Sequence, residues 1–245
     1  TDDHAQTLGS GFESDPHASN LVMYLPLNSA SGVADKHHEI SGSGGSSSAV
    51  TTVDGHGGSY ETANDNTISR FYGSSRKFVG SNSAGDIIKF TGNTDIQLTG
   101  QFCIEFWYRW ETNDSTHTVL ANYNDGDDTY YDLIGHNSGG AFKIFIGSNE
   151  MCLESTAASV GTWYHYAFTR QSDNKIRIWR NGVNTATSSG TTTDTIFPDG
   201  EDQTIGGYTQ SMGGSHGLNG NLSEFKVYKG IAKYTSAFTV PDNVG

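Results

Sequence analysis

The chain has 245 residues, 27 acidic against 14 basic, for a formal net charge of -13; this excludes a phosphate-backbone binder, which needs a basic surface to displace counterions. Its 31 glycines, 12 tyrosines, 12 phenylalanines and only 4 prolines suit short strands and turns rather than helices. No apolar run approaches a membrane-spanning length, and the N-terminus lacks the basic-then-apolar layout of a secretory signal, so neither nucleic acid nor membrane insertion is expected.

Residues 1–19 are polar, with only Leu8 and Phe12 as isolated large apolar side chains, and read as an arm that either stays disordered or lies on a neighbouring subunit. Residues 21–27 (LVMYLPL) follow as a first strand. Residues 28–66, with the run SGSGGSSS at 41–48, read as a long connection holding one short strand. Strand-like runs then recur at 70–78, 86–90, 101–110, 117–122, 130–135, 141–147 and 151–155, the spacing of antiparallel sheets. No fixed repeat period is present, which disfavours a propeller or solenoid.

Residues 161–182 (GTWYHYAFTRQSDNKIRIWRNG) form two alternating runs joined by Ser172-Asp173-Asn174 and closed by Asn181-Gly182, a pair suited to the positive φ angles of a tight hairpin. Trp163, His165, Ala167 and Thr169 share one face and Tyr164, Tyr166, Phe168 and Arg170 the other. Trp163 is expected to point inward with Ala167 as a core anchor. The fold class that follows is all-β, a two-sheet antiparallel β-sandwich of jelly-roll type over residues 20–245, preceded by the arm.

The Trp-x-His-x-Ala strand at 163–167 running into a strand that ends in Asn-Gly resembles the laminin-G-like branch of the concanavalin A-like family. Residues 21–27, 101–110 (QFCIEFWYRW) and 219–230 (NGNLSEFKVYKG) resemble that family's first, "FTIEFW" and closing strands. The resemblance spans roughly residues 20–241 and implies a jelly roll used by lectins, glycosidases, adhesion modules and particle proteins. Residues 230–241 (GIAKYTSAFTVP) resemble a terminal extension of such modules in phage particle proteins.

Family members that cleave β-glucans carry Glu-x-Asp-x-Glu or Glu-x-Asp-x-x-Glu on one strand. Here Glu13-Ser14-Asp15 meets His17 and Ala18 where the third carboxylate belongs, and Glu105 and Glu224 each stand alone, so no catalytic residues are assigned. His165 reads as a sheet histidine, and no Gly-x-Ser-x-Gly elbow supplies a serine partner. Cys103 and Cys152 are expected as separate buried thiols, a structural bridge being the alternative.

Glycan binding needs aromatic faces flanked by polar groups, and the candidates are Trp179, Tyr130, Tyr131 and Tyr208, each equally placed to pack between sheets. Oxygen-rich 122–128 (NYNDGDD) makes Asn124, Asp125, Asp127 and Asp128 candidate calcium ligands, with Asp35 and Asp86 as a second set; a hairpin turn is the plainer reading. Calcium is the one cofactor that these residues suggest. The function expected is a non-enzymatic module on a phage virion surface, as decoration, fibre or knob. It would bind other virion proteins or its own copies and cell-surface polysaccharide. The alternatives are a secreted carbohydrate-binding module and, third, a glycoside hydrolase using Glu105 or Glu224.

Overall fold

Strand Phe102–Trp110 is buried along almost its whole length because it is covered on both faces. Phe102, Ile104, Phe106, Tyr108 and Trp110 enter the main core. Cys103, on the opposite face, joins a smaller cluster with Leu21, Tyr24, Ala167, Trp179, Tyr228 and Tyr234.

The computed structural model describes residues 15–28, 35, 50–53, 62–80, 87–90, 96–112, 116–124, 129–147, 149–197, 202–207 and 216–240. Among them, a short 3-10 turn at Ala18–Asn20 leads into β1 (Leu21–Leu25), followed by β2 (Val50–Val53), β3 (Ala63–Asp65), β4 (Ser75–Phe78) and β5 (Ile87–Phe90). The central strands are β6 (Phe102–Trp110), β7 (His117–Asn124), β8 (Thr129–His136), β9 (Phe142–Ile146) and β10 (Asn149–Leu153). Then come β11 (Trp163–Arg170), β12 (Ile176–Arg180), β13 (Val183–Thr187), β14 (Asp202–Ile205) and β15 (Gly220–Lys229).

These strands form two antiparallel sheets. One, of eight strands, runs β13-β12-β11-β6-β15-β4-β3 with β1 also on β15; the other, of seven, runs β10-β9-β8-β7-β14-β5-β2. β1 and β4 share one edge of β15: β4 pairs with Gly220 to Leu222 and β1 with Phe225 to Tyr228. The register shift between Ser223 and Lys226 separates the two partners, and Glu224 within it takes a φ of 59°, the left-handed conformation that a bulge tolerates. The inner faces interdigitate through rings: Phe142 of β9 lies 4.1 Å from Tyr166 of β11 and 6.1 Å from Phe106 of β6.

At the turn after β12, Asn181 and Gly182 adopt φ of 49° and 79°, the mirror-image turn that matches strand twist. A Cβ on Gly182 would strike the carbonyl of Phe238. That close approach belongs to a strap, residues 230–240, laid across the outer face of the eight-stranded sheet. Phe238 N donates to Gly182 O at 3.0 Å, Gln171 Nε2 donates to Tyr234 O at 3.1 Å, and the rings of Tyr234 and Phe238 stack with centroids 3.5 Å apart.

The strap decides which outer-face residues are covered. Trp179 is only 3% exposed, and its indole N–H donates to Thr169 Oγ1 at 2.9 Å. Trp163 is half-buried, on the face opposite the main core, so the expectation of an inward core anchor is corrected: Tyr166 and Phe168 fill that role. Both cysteines are free and buried.

Candidate functional site

On the outer face of the eight-stranded sheet, beside Val240 of the strap, lies a groove of about 500 Å³ lined by Ser69, Arg70, Trp107, Trp163, Asn181 and Val240. Pairing of β6 with β11 sets His165 opposite Trp107 and Trp163 opposite Arg109, so the two tryptophans are diagonal neighbours on one face. Trp107 forms the floor. Its ring meets Phe71 edge-on at 5.7 Å and His165 at 5.4 Å, while the Arg70 guanidinium sits 4.2 Å above its centre. Trp163 makes the accessible aromatic wall. Asn181, in the turn after β12, is held in place by the neighbouring strand β11, its Oδ1 accepting the His165 N–H at 2.9 Å.

Two buried carboxylates on this face, Glu105 and Glu224, are committed to partners within the chain. Glu105 accepts hydrogen bonds from Lys233 Nζ at 3.0 Å and Tyr234 O–H at 2.6 Å, and lies 3.4 Å from His165 Nε2. Burial pushes its carboxyl up, but Lys233 and His165 outweigh burial and hold it well below the usual range. Glu224 is also buried; Tyr24 O–H donates to it at 3.0 Å and Lys226 Nζ lies 3.5 Å away. Burial dominates there, and its pKa is pushed up to about 7.

Of the glycan candidates, Trp179 is removed by its burial beneath the strap: no ring face is left for a sugar. Tyr130 and Tyr131 lie on β8, in the other sheet from the groove, and Tyr208 falls outside the described residues. Tyr130 and Tyr131 are therefore not brought together with Trp179, which lies on the eight-stranded sheet. Of the calcium candidates, Asp86, Asp125, Asp127 and Asp128 lie outside the described residues, and Asn124 ends β7. Asp35 is buried and its Oδ1 accepts the Tyr24 N–H at 3.1 Å. No group of three or more His, Cys, Asp or Glu among the described residues is arranged to hold a metal ion.

Arg70, Trp107 and Trp163 were not among the expected site residues. Their signal in the sequence is weak: strict alternation puts Trp107 in phase with Glu105 and Arg109, a polar set, rather than with Phe106 and Tyr108.

Residues 82–233 match the family model described as the concanavalin A-like lectin/glucanases superfamily (Laminin_G_3). No curated protein matches. Among solved structures, botulinum neurotoxin type C, described in connection with cell entry dependent upon interaction with two ganglioside molecules, superposes with a TM-score of 0.60 at 14% identity. That match covers 89% of this chain and 50% of that one. The binding domain of botulinum neurotoxin DC in complex with rat synaptotagmin II gives 0.55 at 13% identity, covering 89% and 50%. Domain 4 of AbnA, a GH43 extracellular arabinanase from Geobacillus stearothermophilus, in complex with arabinotriose, gives 0.54 at 15% identity, covering 86% and 93%. The chain spans about half the length of the neurotoxin structures it matches. These likenesses establish a shared fold.

Proposed function

The chain belongs to the concanavalin A-like lectin/glucanase superfamily, and within it we propose that this protein is a non-enzymatic module that binds carbohydrate in the Trp107–Trp163 groove. The observation that carries the reading is the groove itself: an accessible tryptophan wall, a cation and an amide side chain converge on one concave surface. Sugar C–H faces stack on such a wall while Arg70, Asn181 and Ser69 address hydroxyls. The neighbours point the same way, one described with gangliosides and another with arabinotriose. Support for a non-enzymatic role comes from Glu105, sealed under the strap by Lys233 and Tyr234, and from Glu224, buried at a bulge.

A glycan array with parent, Trp163→Ala and Arg70→Ala tests this reading. Saturable binding by the parent, weakened on the order of tenfold (about 1.4 kcal/mol) in either variant, is expected; a parent that binds no glycan, or variants that bind like it, overturns the assignment.

A finer reading makes the module part of a phage virion surface, and its support is the strap at 230–240, the segment that resembles a particle-protein extension. Co-sedimentation with intact particles is the expected result. Calcium bound by the oxygen-rich run 122–128 is a further proposal: millimolar calcium should raise the melting temperature relative to excess EDTA, and identical curves would dismiss it.

A further inference from the structure

Under the strap, one lysine touches two carboxylates. Lys233 Nζ donates to Asp15 Oδ2 at 3.0 Å, to Glu105 Oε1 at 3.0 Å and to the Tyr228 hydroxyl oxygen at 2.9 Å. The three side chains are nearly dry, with 11%, 5% and 4% exposure for Lys233, Asp15 and Glu105. The rings of Tyr228 and Tyr234 flank the ammonium, at 4.4 and 5.6 Å. Asp15 is oriented at both oxygens: the His17 N–H donates to Oδ1 at 2.9 Å and the Tyr228 O–H to Oδ2 at 2.6 Å.

An amine and a carboxyl held in contact, away from bulk water and beside a second carboxylate, have what condensation to an amide requires. We propose that Lys233 and Asp15 become joined by an intramolecular isopeptide bond that the chain forms itself, with Glu105 carrying the proton. First, the proton shared across the Lys233–Asp15 hydrogen bond passes from Nζ to Oδ2, leaving a neutral amine and a neutral acid. The Nζ lone pair then attacks Asp15 Cγ, one bond beyond the oxygen it already touches, and a C–N bond forms. Glu105 takes a proton from the nitrogen, while the His17 N–H steadies the negative charge that develops on Oδ1. Glu105 returns that proton to the Oδ2 hydroxyl, the C–O bond breaks and water leaves. The products are one amide and one water, Glu105 ends as it began, and nothing is oxidised or reduced.

Before reaction the ion pair prevails. Burial raises Asp15 and lowers Lys233, but their mutual attraction, with Glu105 beside the lysine, holds the Asp15 carboxyl below and the Lys233 ammonium above their ordinary values. The neutral pair has the same net charge and lacks two desolvated ions, so burial favours it relative to water. The bond would close a ring around nearly the whole sandwich, since 218 positions separate the two residues. Both terminal segments would then be welded over the outer face of the eight-stranded sheet, and force applied across them would bypass its strands.

Intact-mass measurement of the denatured parent chain tests the proposal. The expected mass is one water below that of the sequence, and proteolysis should release a branched peptide joining the segments that hold Asp15 and Lys233. Lys233→Arg and Asp15→Ala should restore the full sequence mass, while Asp15→Asn should give the same cross-link with loss of ammonia in place of water. Glu105→Gln, checked for folding by circular dichroism, should remain uncross-linked; cross-linking at the parental extent would overturn its role as proton carrier. A folded parent that keeps its full sequence mass and yields no branched peptide overturns the bond itself, whatever the variants do.

Discussion

The guanidinium of Arg70 sits 4.2 Å from the ring centre of Trp107 and 4.7 Å from that of its chain neighbour Phe71. A cation packed on an aromatic face is worth ~0.5–2 kcal/mol, more as it is desolvated, and here it closes the floor of the groove. What remains for a ligand to stack on is the ring of Trp163.

Trp163→Ala should therefore separate binding from stability. Because the ring is half-buried and outside the main core, its removal should lower stability by no more than about 1–2 kcal/mol while weakening glycan binding. Phe106→Ala, in the centre of the core, should cost about 3–5 kcal/mol. Denaturant titration of both variants checks the contrast; equal losses would mean that Trp163 is a core residue after all.

Glu224 should make stability fall as pH rises. Its folded pKa of about 7 lies above the ordinary 4.5, so the native state binds the proton more tightly than the unfolded chain. Its contribution is then fully present below pH 4.5 and is lost as pH climbs through 7, a swing on the order of 3 kcal/mol. Asp132, pushed by burial to about 6, adds to the same window with the same sign. Glu224→Gln should flatten the upper part of the curve measured by urea unfolding between pH 5 and 8, and an unchanged slope would assign it to Asp132 alone.

Gly182→Ala should lift the strap. The φ of 79° and the Phe238 carbonyl against the missing Cβ leave no room for alanine. Cys103 lies beneath the strap, and burial raises its thiol well above the ordinary range. In the parent it should resist a thiol reagent until unfolding; in the variant it should label in the folded state. Equal protection in both would place the opening elsewhere.

Two truncations should behave differently. Removing residues 1–14 leaves Asp15 on Lys233 and Tyr228; removing 1–19 strips the ammonium of one carboxylate and the Tyr228 hydroxyl of its acceptor. Breaking a buried pair in this way should cost about 3–5 kcal/mol, so only the longer truncation should shift the melting temperature strongly. Matching melting curves would show that the Asp15 contacts contribute little.

Much of the sandwich was legible in the chain because strand period and turn chemistry are local properties. The run 161–182 alternates as its strands β11 and β12 do, and Asn181-Gly182 turns with positive φ because few other dipeptides can. The resemblance at 101–110 and 219–230 fell on β6 and β15, two strands paired with each other in the eight-stranded sheet. Alternation also places Trp163 and Trp179 on a common face, since Ala167 pairs with Trp179 across β11 and β12. It does not say what covers that face. Residues 230–240 pass over Trp179, while Val240 only lines the groove beside Trp163, so the tryptophan expected at the surface is buried and the one expected in the core is half-buried at a groove. The meeting of Asp15 with Lys233 has the same origin: no local rule couples positions so far apart, and only the packing of both ends on one sheet brings an amine to a carboxylate.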